Sequence, residues 1–217
     1  QDLGSTVAVS VLNLNSANGN IVFANQDNSI PAVQVTQGQN VTVSNTLATS
    51  TTVFGINNAT GNFSLASSDA TINGSLDVGG DLTLDASNGI GSVTDGFNGR
   101  ITVAGSTSIL VNTLDDVILD AVNFFGGNAH DFHGPGGMLA ITSARDVNIR
   151  HRGNLNFIVP SISGSLTLAT EAAGGEAGDI TDADGGTLSI TVTGLTTLEA
   201  DGDITLDATE SNYNTLQ

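Results

Sequence analysis

The sequence predicts an all-β chain wound as a parallel β-helix, and three observations carry that expectation. Short apolar/polar alternations of four to seven residues recur from end to end, whereas no stretch shows the three-and-four spacing of an amphipathic helix. The alternating runs resemble one another and are separated by Gly, Asn, Asp and Ser, which are corner residues. Aromatics make up only 4 % of the chain and Trp is absent, so a globular core built on large rings is disfavoured. Mean hydropathy is +0.13 and 39 % of residues are hydrophobic, too apolar for a disordered chain.

The elements follow in order. Candidate strands are 6–14 (TVAVSVLNL), 20–24, 32–36, 41–45, 51–55, 62–66, 81–86, 100–104, 108–112 and 117–121. Later ones are 138–143, 147–151, 155–159, 165–169, 187–193 and 203–208. GDLTLDA (80–86), DVILDA (116–121) and GDITLDA (202–208) share a polar turn followed by aliphatic, any residue, Leu, Asp and Ala. Longer echoes are Gly74-Ser75-Leu76 with Gly164-Ser165-Leu166, and Ile101-Thr102-Val103 with Ile190-Thr191-Val192, giving an approximate internal repeat 74–126 / 164–213. Stacked coils need this self-similarity, because each coil presents its inward aliphatics to the next. At 20-odd residues per coil the chain makes roughly ten coils and a rod on the order of 50 Å. Two tandem β-sandwiches would give a similar gross repeat, but the missing Trp makes them the second choice. The expectation is one continuous β-solenoid segment over 1–217, with a projecting loop at 123–137.

Composition narrows the function. The net charge is −18, 18 of the 22 acids are Asp, and the only cations besides His are Arg100, Arg145, Arg150 and Arg152. Such a surface repels nucleic acid and anionic lipid. No apolar run approaches the roughly 20 residues of a membrane span. No charged segment followed by an apolar one opens the chain, so any export signal is expected outside it. The absence of Cys removes disulfides and thiolate chemistry.

TGLTTLEADGDITLDATESNY (193–213) resembles the repeats of filamentous haemagglutinin-type exoproteins, bacterial adhesins exported by two-partner secretion, and GNIVFANQDNSIPAVQVTQGQNVTVSNT (19–46) is similar to another part of that repeat. The resemblance covers most of the chain. It implies a right-handed parallel β-helix, an extracellular or bacterial cell-surface location, and a stalk role in surface attachment or in cell–cell or matrix contact. The Asn-Pro-Asn motifs of that family's secretion domain are absent, so the resemblance points to a stalk segment of a longer protein or a filament subunit. Its expected partners are a host or neighbouring-cell surface glycan or protein, or identical subunits stacked end to end.

Candidate site residues concentrate in 124–152. Phe124, Phe125, His130, Asp131, Phe132 and His133 break the strand rhythm and read as a recognition loop or as an insertion folded onto the solenoid. His130 and His133 with Asp131 lack the helical context of zinc hydrolases. Strand alternation puts Arg150 and Arg152 on one face with Asp146 and Asn148, and Val147, Ile149 and His151 on the other. Arg145, Arg150 and Arg152 suit either a sulfated or carboxylated glycan or Asp partners on neighbouring coils. Asp179, Asp182 and Asp184 approach a calcium-binding nonapeptide, though with its Gly displaced by one position, so structural Ca²⁺ is the one cofactor the sequence suggests.

Catalysis ranks below structure. The nearest approach to a β-helical polysaccharide lyase or hydrolase site is Asp115, Asp116 and Asp120 with Arg145 and Arg150, and no Lys is available as a base. An ice-binding face needs Thr-x-Thr at every coil, and Thr191-Val192-Thr193 stands isolated. The sequence therefore reads as a non-enzymatic structural or adhesin segment.

Overall fold

The computed structural model describes residues 4–47, 50–88, 91–96, 98–120, 138–173, 175–182, 189–209 and 211–217. The projecting loop expected at 123–137 lies outside the described residues, as does Asp184. Among the described residues there is no helix, and every strand pairing is parallel. The fold is a parallel β-solenoid.

Two sheets run along its axis. The second is the simpler, stacking Ile21–Phe23, Val41–Asn45, Phe63–Ser67, Leu82–Asp85, Thr107–Leu110, Leu139–Ile141, Leu155–Ile158, Ile180–Asp182 and Ile204–Thr205 in chain order. The first sheet alternates with it, winding by winding, from Leu12–Asn15 to Thr191–Glu199, with Asn212–Leu216 paired to its last long strand. Nine strands in the second sheet make about eight turns rather than the ten expected from sequence. Uneven windings explain the difference. Several close within 20-odd residues, but the one that carries Val117 to its partner Val147 is longer, and there Thr142 Oγ1 reaches back 31 residues to the carbonyl of Val111.

Like stacks on like inside. Val43, Leu65, Leu84, Ile109 and Ile141 form one register column, and Val93, Val117, Val147 and Leu166 another, all at most 1 % exposed. Each such side chain contributes on the order of 1.5–3 kcal/mol by leaving water. Phe63 and Phe157 supply the bulk that Trp supplies elsewhere. Outward positions carry Thr, Ser and Asn, whose shape suits a pleated surface. Thr52, Thr71 and Thr94 are stacked in register, and Thr71 Oγ1 lies 3.2 Å from Thr94 Oγ1. The neighbouring outward positions are Phe54 and Asn73, so this Thr column stands one residue wide.

The nine-residue strand Ala70–Val78 pairs along its whole length with Thr51–Ala59, placing Gly74 directly over Gly55. Gly55 has φ +70°, which bends the long strand. A Cβ on Gly74 would sit 2.1 Å from the Gly55 carbonyl oxygen. Gly74→Ala is therefore expected to lower stability by about 1–3 kcal/mol, the usual cost of overpacking, as read by denaturant unfolding; a midpoint unchanged from wild type would contradict this stacking.

Candidate functional site

The Arg-bearing surface is built on the outward side of the first sheet. Arg145 precedes the strand Val147–Arg152 and donates through Nε to Asp116 Oδ1 at 2.9 Å, and through Nη2 to Asp116 Oδ2. The hydrogen bond to Asp116 and then its charge hold the Arg145 guanidinium above its usual pKa, with Asp146 and the buried Asp115 adding to the field. Arg150 donates to Glu171 Oε1 one winding on, with Nε at 2.7 Å. Arg100 pairs with Asp77 at 3.0 Å. Arg152 is exposed and has no ion pair among the described residues. These are solvent-exposed pairs that add little to stability, and they place positive charge between acidic windings. The inward side of the same strand carries Val147, Ile149 and His151, all buried, and the His151 ring nitrogen Nδ1 lies 3.3 Å from the Gly153 carbonyl.

Arg145 and Arg150 do not converge on a shared ligand position with the acids. Asp116 is taken by Arg145, and Asp120 accepts from Asn148 Nδ2. Beside Arg150 an open groove of about 470 Å³ is lined by Thr170, Glu171, Glu199 and Asp201. Three carboxylates face one guanidinium there, so the groove favours a cationic or polyhydroxylated visitor over an acidic polymer. Another open groove, about 550 Å³, has a floor of Ala59, Val78 and Val103.

The carboxylates have a role that the sequence did not disclose. Asn20, Asn40, Asn62 and Asp81 occupy successive windings at the corner before the second sheet. Asn40 Oδ1 accepts the backbone N–H of Asn62 at 3.0 Å, Asn62 Oδ1 that of Asp81 at 2.9 Å, and Asp81 Oδ1 that of Ser106 at 2.9 Å. The ladder resumes with Asn154 Oδ1 accepting from Asp179 at 2.9 Å and Asp179 Oδ1 accepting from Asp203 at 2.8 Å. A second ladder runs along the corner before the first sheet. Asp69 Oδ1 accepts from Ser92 N at 2.7 Å, Ser92 Oγ from Asp116 N at 3.0 Å, Asp116 Oδ1 from Asp146 N at 3.2 Å, and Asp146 Oδ1 from Ser165 N at 2.7 Å. Each rung satisfies a backbone donor that the strand ladders leave over.

The proposed calcium acids divide between two environments. Asp179 belongs to the outer corner ladder, while Asp182 is fully buried. Asp182 Oδ1 accepts the N–H groups of Asp207 at 2.8 Å and Ala208 at 3.2 Å, and its Oδ2 accepts the Tyr213 hydroxyl at 3.1 Å. Among the described residues no group of three or more His, Asp and Glu is placed to hold a metal ion. A second interior polar knot lies near the start of the chain. Asn45 clasps both backbone groups of Ile30 at 2.6 Å and donates to Thr51, whose Oγ1 is 2.7 Å from Ser67 Oγ.

Burial first, then the Asp182 charge and hydrogen bond, push the Tyr213 hydroxyl pKa upward. The folded value thus exceeds the unfolded value of about 10. The contribution to stability is complete below about pH 10 and is lost as pH rises through the folded value. Tyr213 is the only Tyr and Trp is absent, so its phenolate absorbance is read without interference. It should stay silent at about pH 10 while the chain is folded, and Asp182→Asn should let it titrate nearer that value; a folded wild-type chain titrating there would contradict the contact.

A family model described as repeats of unknown function (DUF5649) matches the chain twice, at residues 60–131 and 144–216. The first match includes Asn62, Asp81 and Asp116, and the second Asp146, Asn154, Asp179 and Asp203, so both contain rungs of the two corner ladders. No curated protein and no solved structure matches the chain.

Proposed function

We propose a mechanical role for this chain, which belongs to the family of repeats of unknown function (DUF5649): it is a non-enzymatic, rigid spacer that holds other parts of a bacterial surface protein at a distance. The observation that carries this reading is the continuity of the axial columns. Aliphatic stacks, backbone ladders and side-chain ladders all run parallel to one axis, so each winding is clamped to the next by three independent sets of contacts. About eight turns spaced by about 4.8 Å give a rod on the order of 40 Å.

At an extracellular surface the −18 charge keeps neighbouring rods apart. The likeness to filamentous haemagglutinin-type repeats supports the same placement and a contribution to attachment on a host or neighbouring-cell glycan or protein. A non-catalytic role is supported by the engagement of Asp116 with Arg145 and of Asp120 with Asn148, two of the acids nearest to a lyase or hydrolase site.

Single-molecule pulling between the two ends tests the reading. A spacer should resist and then yield one winding at a time, releasing roughly 70 Å of contour for each 20-odd residues. Smooth extension at low force would contradict it. In parallel, incubation with neutral and acidic polysaccharides should produce no new reducing ends and no unsaturated products; either product would replace the spacer with an enzyme.

A further inference from the structure

We infer that an uncharged patch around Phe54, on the outward side of the first sheet, is a subsite for a neutral glycan. The inference rests on the attachment reading above and names the class of glycan. Phe54 lies on the strand Thr51–Ala59, pairs in register with Asn73 of the next winding, and is partly exposed. Ile56, just past the bend at Gly55, is 67 % exposed. Two large apolar side chains are thus held outward within three residues of one strand, which gives a contact surface.

Amides flank the ring along the axis. The register that pairs Val33 with Val53 brings Gln34 of the preceding winding beside Phe54. Gln34 Nε2 donates to the Ile56 carbonyl at 3.3 Å, and the amide lies over Gly55, where a Cβ would meet it at 2.5 Å. Asn73 is exposed, and its amide has no hydrogen-bond partner among the described residues. Its Oδ1 lies over Gly96, where a Cβ would come within 2.7 Å. Each amide therefore rests above a glycine of the following winding, in space that a larger residue would fill. Thr52 and Thr71, in register with each other, add hydroxyls on the same face.

This chemistry fits a sugar. An amide donates and accepts at once, as the adjacent hydroxyls of a pyranose require. The C–H faces of the ring meet aromatic and aliphatic side chains, while a few polar groups around them set orientation. From Gln34 to Asn73 the patch spans two axial steps, about 10 Å, the reach of two sugar rings. Charge selects the class. Only Asp2 and Asp27 of the 22 acids precede Asp69, and no Arg precedes Arg100. Asp77, on the same strand as Asn73, is paired with Arg100 at 3.0 Å. In a chain of −18 these windings are nearly uncharged, so neither a sulfated nor an amine-bearing glycan finds a counter-charge in the patch.

The test is saturation-transfer NMR and isothermal calorimetry with neutral oligosaccharides of glucose, galactose and mannose. Heparin and glucosamine oligomers serve as charged controls. At least one neutral oligosaccharide should bind the wild-type chain, with saturation passing to it from Phe ring protons. Phe54→Ala and Asn73→Asp should each weaken that binding about tenfold or more, with melting curves close to wild type. Should Phe54→Ala not fold, Ile56→Ala takes its place. Neutral binding that survives either substitution would overturn the patch and leave attachment through another surface standing. A charged control that loses binding in the variants would overturn the uncharged class. No binding by any neutral oligosaccharide would overturn the proposal, and release winding by winding under force would then still uphold the spacer reading.

Discussion

A parallel solenoid obliges every backbone group on a strand to find its partner one winding away. That single requirement orders the rest of the molecule. Once Val43 lies over Leu65 and Leu65 over Leu84, the side chains are in columns whether or not they attract one another. Only residues that tolerate their own kind at about 4.8 Å fit such columns. Aliphatics do so inside and hydroxyls outside. Where the chain folds sharply, Gly74 over Gly55 removes the Cβ that would collide with backbone.

Charge is the difficult part of this arrangement, because stacked carboxylates repel. The chain reduces the conflict by alternating the chemistry along each corner. Asn and Ser interleave with Asp, so Asn40 and Asn62 precede Asp81, and Ser92 separates Asp69 from Asp116. Asp69, Asp81, Asp116, Asp146 and Asp179 each accept a backbone N–H of the next winding. Arg145 and Arg150 then bridge windings through Asp116 and Glu171. Inside, Asn45 and Asp182 accept or donate with several partners each, and a buried polar group so satisfied fixes register more sharply than another aliphatic would.

The fold class was legible because alternation and self-similarity are local properties of the chain. Most strands fall where the runs of alternating residues lie. Ala70–Val78 did not stand out, since Asn73-Gly74 in its middle reads as a turn until Gly55 is known to lie beneath it. The stretch after Val192 was likewise cut short at Gly194, although the strand continues to Glu199. Winding number was overestimated because one period was assumed throughout, although the long step from Val117 to Val147 spans the stretch 123–137 that breaks the strand rhythm. The two faces of 147–152 followed from period-two alternation alone, and the structure buries His151 accordingly. The Asp residues were read as turn formers, which describes their position and misses their bonds. Pairing Asp179 with Asp203 requires knowing which residue lies 24 positions away in space, and no motif encodes that.

Axial stacking, winding over winding, is the claim on which the spacer role depends. Pulsed electron resonance on spin-labelled cysteines measures it directly, since the native chain has no Cys to interfere. Labels on outward positions Thr42 and Thr205 lie seven second-sheet strands apart, and labels on Thr83 and Thr205 lie five apart. The account predicts narrow distance distributions centred near about 34 Å and about 24 Å respectively, a difference of two axial steps. Broad distributions, or two distances that do not differ by about 10 Å, would contradict it.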